Sequence, residues 1–473
     1  MVFRHRLRCA LFALLLASAG LLILASVAGA APPDTVFYNP IVADVISEVT
    51  TPTLAYELEG LTGERPVTVA GISYTIATRN SLQSEAISMA TRYAYEWLAE
   101  TGLDVSYHEY SWGDHDGRNV VAEKPGLINP EEIYLITAHL DDMPPGPLAP
   151  GADDNASGSV AVMLAARLLA DRHLAYTVRF VLFTGEEYGL LGSDAYAADC
   201  AARGETIQGM LNLDMIGYNT GKPVYEVFAL SGDREVAAGS RHLAELFVDV
   251  VSLYDLDLVS QKLVISDYPL IGGSDQWSFL ARGFPAILIS EGFESGDFNP
   301  HYHTVDDALS EMDLDYCANI VRASIATLAH LARILPGGGV GQLSGTVYYS
   351  PTAQPVSRST VVAFWPAYHY TFTTATDEDG AYAMVLPAGE YALTVRPAAS
   401  AYSATLTGVV VPAGGFVVQD VALRSTDEPE PVPTPTPEEP FILSTDFVFD
   451  LIKPARLFVL LIHGLQRLVT ACF

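Results

Sequence analysis

Cysteine, basic residues and long apolar runs are scarce in this sequence. The 473 residues include only 4 Cys, and the paired-cysteine spacings of zinc fingers and redox motifs do not occur. The 25 Lys and Arg are outnumbered by 56 Asp and Glu, and a field of that sign repels nucleic acid and anionic lipid but favours cations. The sequence therefore argues against a nucleic-acid partner. Cys200 and Cys317 could form a disulfide in an oxidising compartment, which the sequence leaves open.

The start of the chain has the composition of an export signal. Three arginines among the first eight residues precede an apolar run over about residues 11–27, and Ala28-Gly29-Ala30 supplies the small residues of a cleavage site. The run is short for a bilayer span of ~20 residues, which favours cleavage after Ala30 over an uncleaved anchor. We therefore expect residues 1–30 to be a signal peptide and the protein to be secreted or extracytoplasmic.

Strand-like and helical segments alternate over residues 31–336. The sequence predicts apolar strands at 133–138, 177–183, 208–215 and 286–289, and helices at 81–102, with Ser81 as the cap, at 157–170 and at 315–335. Such alternation predicts an α/β fold with a mixed, largely parallel sheet between helix layers.

The character of the chain changes after residues 336–339, which read Pro-Gly-Gly-Gly. Residues 342–424 contain short β-rich runs separated by turn signals, which predicts a small β-sandwich. Residues 425–440 are rich in Pro, Glu and Thr and should be an extended linker. Residues 441–473 form an apolar tail that polar residues interrupt, so a membrane span is not predicted, while contact with a membrane surface and packing against the body both stay open.

Several polar side chains follow the predicted strands directly. His139 and Asp141 come after the strand at 133–138, and a carboxylate near a histidine can hold the imidazole in the tautomer that a metal ion requires. Asp154 lies in a turn with more acids than helix capping needs. Glu186 and Glu187 are adjacent, and two adjacent carboxylates repel each other unless a cation lies near.

Two further segments complete this set of donors. Asp214 lies inside an apolar strand, and no basic residue occurs from Glu205 to Thr220 that could pair with its charge locally. His301 and His303 would share one face of an extended strand, so these residues alone allow either as a ligand. Two histidines and three acids near strand ends suit zinc, because nitrogen and oxygen donors are present and thiolates are absent.

Five motifs occur in the order that characterises one family of enzymes. They are His139-Leu-Asp141, Asp154-Asn-Ala-Ser-Gly158, Gly185-Glu-Glu-Tyr-Gly-Leu-Leu-Gly-Ser193, Asn212-Leu-Asp-Met-Ile-Gly217 and His303-Thr-Val-Asp306. Over about residues 35 to 335 the sequence resembles the M28 family of zinc aminopeptidases. The phrase Asp379-Gly-Ala-Tyr382, with Pro387-Ala-Gly389 after it, resembles the carboxypeptidase regulatory-like module.

The resemblance implies a zinc exopeptidase fold that binds two zinc ions. Asp154 is similar to the carboxylate that bridges both ions. His139 and Asp214 would complete the site of one ion, and Glu187 and His303 the site of the other.

The resemblance also assigns the catalytic groups. Glu186 would be the general base, and Asp141 would orient the first histidine ligand. Tyr302 is similar to a substrate-binding tyrosine that steadies the developing oxyanion in some members. Other members carry a tyrosine shortly before the pair matched by Ser274-Asp275, and this sequence lacks it.

The most consistent function is a secreted di-zinc metallopeptidase that removes N-terminal residues from peptides. A carboxypeptidase would need a basic clamp, yet Arg282 is the only Lys or Arg between Ile265 and Asp315. A single-zinc glutaminyl cyclase of the same fold is a second alternative, and a non-catalytic adhesion protein is a third. The sequence contains no Gly-x-Ser-x-Gly and no His-Glu-x-x-His motif, which disfavours a serine hydrolase and the other large class of zinc protease.

Overall fold

The computed structural model describes residues 35–424 except 114, 266–272, 351 and 399–402. The predicted signal peptide at 1–30, linker at 425–440 and apolar tail at 441–473 therefore lie outside the described residues. Among the described helices, none combines the length and the apolar character that crossing a membrane requires.

The helices and strands of the described residues follow one another in a largely alternating order. The helices are α1 (Pro40–Ser47), α2 (Thr51–Leu61), α3 (Ser84–Ala99), α4 (Gly158–Ala170), α5 (Leu191–Arg203), α6 (Glu235–Leu253), α7 (Gln276–Leu280) and α8 (Leu314–Leu331). The strands that precede α8 are β1 (Val67–Val69), β2 (Ile72–Tyr74), β3 (Asp104–Trp112), β4 (His115–Lys124), β5 (Asn129–His139), β6 (His173–Leu174), β7 (Tyr176–Phe183), β8 (Thr206–Leu213), β9 (Val224–Leu230), β10 (Val259–Ile265) and β11 (Ala286–Ser290). The strands that follow are β12 (Ile334–Leu335), β13 (Val340–Tyr349), β14 (Gln354–Pro355), β15 (Thr360–Trp365), β16 (Tyr370–Ala375), β17 (Ala381–Pro387), β18 (Gly389–Arg396), β19 (Ala404–Val411), β20 (Phe416–Val418) and β21 (Val421–Leu423).

A mixed sheet of eight described strands forms the centre of the larger region, in the order β10-β9-β11-β8-β5-β7-β4-β3. The neighbours β11, β8, β5 and β7 run parallel, whereas β4 and β3 are antiparallel additions at one edge. Alternate residues of β5 enter two different cores, with Leu135 facing one and Ile136 the other. Helices therefore cover both faces, and the predicted mixed, largely parallel α/β fold is confirmed.

Two helix ends differ from the prediction. Helix α3 begins at Ser84 and not at Ser81, because the Ser81 hydroxyl accepts the backbone N–H of Gly185 and donates to Asp141 Oδ2 (both 2.9 Å) and so does not cap the helix. Helix α8 ends at Leu331, and the left-handed backbone of Arg333 (φ 51°) turns the chain into β12, which pairs with β6.

The β-sandwich predicted for residues 342–424 is confirmed. One sheet contains β14, β13 and β17, with β20 and β21 also paired to β13, and the other has the order β16-β15-β18-β19. This domain contacts the larger one through side chains: Asn39 Nδ2 donates to the Tyr370 hydroxyl (3.1 Å), and the rings of Phe37 and His369 stack at 4.0 Å.

Both cysteines that the structure describes are free. Cys200 and Cys317 are buried thiols and do not form the disulfide that the sequence had left open.

Candidate metal centre and active site

The carboxyl ends of three parallel strands bring the donor residues together. In β5, His139 pairs in register with Phe183 of β7, and Thr137 pairs with Asn212 of β8, so the three strands end at the same level. Glu187 lies just beyond β7, and Asp214 is the first residue after β8. The carboxyl edge of the sheet is where open α/β folds place their ligands.

The donor side chains form two groups of three that share Asp154. The first triad is His139, Asp154 and Asp214, and the second triad is Asp154, Glu187 and His303; the donor atoms within each lie within 4.8 Å of one another. His139 Nε2 is 3.3 Å from Asp154 Oδ1, and His303 Nε2 is 3.2 Å from Asp154 Oδ2. Each oxygen of Asp154 therefore faces a different triad, as a bridging carboxylate does.

The donor set fits divalent cations. Asp154 Oδ2 and Glu187 Oε1 are buried and have no hydrogen-bond partner among the described residues. In the described part of the chain, the carboxylates of Asp154, Glu187 and Asp214 form ion pairs with His139 and His303 and with no Lys or Arg. A buried carboxylate without a partner is costly. Two imidazoles and three carboxylates, in two groups of three, match the ligands that zinc prefers.

Without a cation, protons compensate for the excess negative charge. Burial raises the pKa of Glu187 to about 8, and the nearby Asp154 adds to the shift. Burial lowers the pKa of His303, but Asp154 and Glu187 outweigh that effect and raise it to about 10. Burial acts against ionisation of Asp154 too, yet its two histidine neighbours lower its pKa to about 2. Cations that bind here would displace the protons of the histidines, so their affinity would depend on pH.

Glu186 belongs to neither triad and lies beside them. Burial raises its pKa well above the ordinary value; His139 acts in the opposite direction, and Asp214 and Asp275 add to the rise. Its backbone N–H donates to Asp141 Oδ1 (3.3 Å), which fixes the loop that carries it. A carboxyl group whose pKa is raised holds a proton more readily than an ordinary one, which is a property of groups that transfer protons.

Asp141 acts through more contacts than the sequence suggested. Its backbone carbonyl oxygen is 3.1 Å from His139 Nδ1, whereas its carboxylate is 3.7 Å from that atom. The carboxylate accepts hydrogen bonds from the Ser81 hydroxyl and from the backbone N–H of Gly185, both at 2.9 Å. Asp141 therefore holds the imidazole with its main chain and the loop of Glu186 with its side chain.

The structure distinguishes the two late histidines. His303 belongs to the second triad, while His301 Nε2 lies 3.6 Å from Glu311 near the surface. The segment turns at His303, which has a left-handed backbone (φ 59°), so the two imidazoles do not share one face. The sequence could not reveal this turn.

A buried network that sequence reasoning missed supports Asp154, the carboxylate that the two triads share. Asp307 accepts hydrogen bonds from the backbone N–H groups of Asp153 (3.1 Å) and Asp154 (3.0 Å). Asn299 Nδ2 donates to both Asp153 Oδ2 (3.1 Å) and Asp307 Oδ1 (3.2 Å). The signal in the sequence is the pair Asp306-Asp307, in which Asp306 is exposed and Asp307 is buried.

Asp275 is a second residue whose position only the structure shows. Both of its carboxylate oxygens are buried without a hydrogen-bond partner among the described residues. Burial raises its pKa to about 7, although the charge of His139 and the Ser193 hydroxyl act against the rise. The charge of the Asp275 carboxylate is in turn one of the contributions that raise the pKa of Glu186.

An apolar pocket of about 360 Å³ opens beside Asp214. Its walls include Met215, Phe228, Leu288, Phe293 and Phe298, and Tyr302 lies at its edge. The ring of Tyr302 is 41% exposed and stacks on the ring of His303 at 3.6 Å between centroids. Burial and then Asp154 and Asp214 raise the pKa of its hydroxyl, which therefore stays a proton donor.

Models of known families match two parts of the chain. Peptidase family M28 matches residues 119–328, and the carboxypeptidase regulatory-like domain matches residues 342–424. The probable leucine aminopeptidase 1 of Trichophyton verrucosum is 30% identical over 245 residues, which are 49% of this chain and 62% of that protein. A probable zinc metalloprotease of Leptosphaeria maculans is 28% identical over 249 residues, covering 45% and 57%. The chain thus spans less than two thirds of the length of these relatives.

Solved structures share the fold at low sequence identity. LapB from Legionella pneumophila superposes with a TM-score of 0.52 at 20% identity, covering 64% of this chain and 77% of that one. The glutaminyl cyclase of Macrostomum lignano gives a TM-score of 0.52 at 19% identity, covering 65% and 97%. The family matches and the folds agree, and the chain carries a peptidase family M28 domain joined to a carboxypeptidase regulatory-like domain.

Proposed function

We propose that this protein is a secreted aminopeptidase that uses two zinc ions to remove N-terminal residues from peptides. The observation that carries the proposal is the pair of triads that share Asp154, with Glu186 beside them. Relatives that are named leucine aminopeptidases support it.

The two triads would hold the ions, and the remaining chemistry belongs to the protein. Bound zinc supplies Lewis acidity, which lowers the pKa of a water molecule and polarises the carbonyl of the scissile bond. Glu186 takes the proton of the attacking water and then passes it to the departing amine. Its raised pKa suits this role, because the group must keep the proton between the two steps.

Tyr302 lies where it can stabilise the carbonyl oxygen as that oxygen gains negative charge. It borders both the apolar pocket and the second triad. A neutral hydroxyl that donates a hydrogen bond to a developing oxyanion lowers the barrier more than it strengthens substrate binding.

The apolar pocket indicates the first residue of the substrate. A volume of about 360 Å³ with three phenylalanine rings in its wall accepts a leucine or phenylalanine side chain. Asp214 at its mouth places negative charge close to the substrate's free amino group. Together these features favour peptides with an unblocked, apolar N-terminal residue.

The alternatives agree less well with the site. A single-zinc glutaminyl cyclase would not need two triads, whereas both are present. A carboxypeptidase would need a cation beside the apolar pocket, and no Lys or Arg is among the described residues of its wall. An adhesion protein would give no reason for the buried donor set.

Secretion is part of the proposal because the first 30 residues have the pattern of a cleaved export signal. The test is N-terminal sequencing of protein recovered from outside the cytoplasm, with Ala31 as the expected first residue. Recovery of chains that still begin at Met1 would contradict it.

Hydrolysis of leucine p-nitroanilide, compared with its N-acetylated form, tests the activity. We expect cleavage of the free substrate alone, two zinc ions per chain by elemental analysis, loss of activity with a chelator and recovery with zinc. Equal cleavage of the acetylated substrate would refute the aminopeptidase assignment. One ion per chain would favour the cyclase instead.

A further inference from the structure

A second, polar cavity of about 510 Å³ lies between the β3–β4 hairpin and the start of α3. Most of the side chains in its wall carry a hydroxyl group or an aromatic ring, among them Ser81, Ser84, Ser88, Tyr110, Trp112 and Thr184. It shares no wall residue with the apolar pocket. None of the functions assigned so far uses it.

The strand order places this cavity on the far side of the triads from the apolar pocket. The apolar pocket takes its wall from the ends of β8, β9 and β11, the triads lie at β5, β7 and β8, and the polar cavity lies at β7, β4 and β3. Two strand spacings separate β5 from β4, which is about 10 Å at ~4.8 Å each. A peptide whose first side chain fills the apolar pocket and whose scissile bond lies at the triads would continue in this direction.

The wall of the cavity touches the catalytic loop directly. Thr184 lines the cavity and stands two residues before Glu186. Ser81 lines it too, and its hydroxyl bonds both Asp141 Oδ2 and the backbone N–H of Gly185. The cavity therefore lies next to the loop that carries Glu186, where a bound peptide could reach it.

Trp112 forms the aromatic wall. Its ring stacks between Tyr110 (5.6 Å) and His115 (5.2 Å). Residue 117 must be small there, because a Cβ on Gly117 would lie 2.4 Å from the Tyr110 ring and 2.8 Å from the Trp112 ring. The hairpin thus holds these rings in a fixed stack, and an apolar side chain can pack against the edge of that stack.

The wall of the cavity contains two acids, Glu109 and Asp116, and one base, Arg118. Arg118 lies opposite Glu109 in the strand register, and its guanidinium is held by the Thr91 hydroxyl (2.9 Å) and the Ser88 carbonyl (2.8 Å). Hydroxyl groups that can donate and accept suit the amide groups of a main chain. Because the wall has one acid in excess, it fits an uncharged stretch of peptide better than a terminal carboxylate.

We propose that this cavity is the subsite for the peptide chain downstream of the scissile bond, which makes neutral peptides of about four or more residues the preferred substrate class. At ~3.3 Å per residue, a span of about 10 Å corresponds to about three residues after the cut. The proposal rests on the proposed aminopeptidase function and adds the length and character of the substrate.

The test compares kcat/KM for two amides, Leu-Ala amide and Leu-Ala-Ala-Phe-Ala amide, and takes their ratio within each variant. We expect a ratio of about ten in the wild type, from one ring contact and a few hydrogen bonds. Trp112→Ala removes the aromatic wall, and Ser84→Trp fills the cavity from the first turn of α3; both should bring the ratio close to one. Phe416→Ala, at an exposed ring of the sandwich, is the control and should keep the wild-type ratio.

The outcomes separate this proposal from the function on which it rests. Turnover of leucine p-nitroanilide together with equal kcat/KM values for the two amides in the wild type would overturn the subsite alone. Lack of any turnover would overturn the aminopeptidase. In that case the binding of the two amides to the zinc-loaded protein, measured by calorimetry, still tests the subsite. Binding of the longer amide that is about tenfold tighter, and that loses this advantage in Ser84→Trp, would support the subsite. Equal binding of the two amides would refute it.

Discussion

Two pairs of adjacent acids at the site divide their roles between neighbours. Asp154 bridges the two triads while Asp153 anchors the segment through Asn299. Glu187 belongs to the second triad while Glu186 lies free of both triads. Successive side chains leave the backbone in different directions, so one member of a pair can act as a ligand while the next takes another role.

Replacing Glu186 by Gln should separate catalysis from metal binding. The amide keeps the shape but cannot carry the proton, so kcat should fall by about 10²–10⁴-fold. Zinc content should stay at the wild-type value, because Glu186 is in neither triad. Activity on leucine p-nitroanilide and elemental analysis of the same sample check both parts. Glu131→Gln, at an exposed position, is the control; loss of zinc in Glu186→Gln would make it a ligand.

Removing the hydroxyl of Tyr302 should affect the rate more than binding. Tyr302→Phe keeps the ring on His303, so KM should change little, while kcat should fall by about 10²-fold if the hydroxyl donates to the oxyanion. Steady-state kinetics on leucine p-nitroanilide measures both quantities. An equal kcat with a raised KM would assign the residue to substrate binding alone.

At the scale of elements, loops placed at the strand ends build the site, and a buried network fixes them. The turn that carries Asp153 and Asp154 is held by Asp307 from a loop more than 150 residues later. Glu291 after β11 accepts the backbone N–H of Tyr218 (3.0 Å), which ties in the loop that follows β8. The sheet brings the loops together, and these hydrogen bonds hold each loop in a single conformation.

Asp307→Ala should weaken zinc binding without removing a ligand. The backbone of Asp154 would lose its acceptor, and losses of about 10–100-fold in metal affinity are typical when such supporting groups are removed. Competition with a chromophoric chelator gives the affinity. The matched control is Asp306→Ala, at the exposed neighbour, and equal weakening in both variants would contradict the role of the network.

At the scale of the whole described molecule, a chain of hydrogen bonds joins the sandwich to the peptidase domain. His330 Nε2 in α8 lies 2.8 Å from the Tyr254 hydroxyl, which accepts the backbone N–H of Asn39 (3.2 Å). Asn39 then donates to Tyr370 of the sandwich. Both domains belong to one compact unit, so acid that charges His330 should destabilise the unit.

His330 should make the protein lose stability in mild acid. Burial lowers its pKa to about 4, below the ordinary 6.5, so the folded state binds fewer protons than the unfolded state. The contribution of neutral His330 to the free energy of unfolding is complete above about pH 6.5. It is lost as the pH falls towards 4, which lowers the free energy of unfolding by about 3 kcal/mol for a buried group. Urea unfolding at pH 7 and pH 4 should show a smaller loss for His330→Gln than for the wild type. His173→Gln, at an exposed histidine, should behave like the wild type.

The sequence by itself determined four neighbouring strands of the central sheet, the change to a β-sandwich after residue 336 and the types of donor at the strand ends. These features are local: an apolar run, a breaker or a motif lies in neighbouring residues, and parallel strands necessarily end at one edge. The α/β order and the sandwich were therefore readable before any contact was known.

Only the tertiary structure decided which groups meet. One residue with a left-handed backbone places His303, and not His301, in the second triad. A contact with Asp141, 60 residues away, keeps Ser81 from capping α3. Asp307 was missed for the same reason, because its partners lie far back along the chain. Contacts of this kind leave no periodic signal in the sequence, since they form only when the sheet has brought distant loops together.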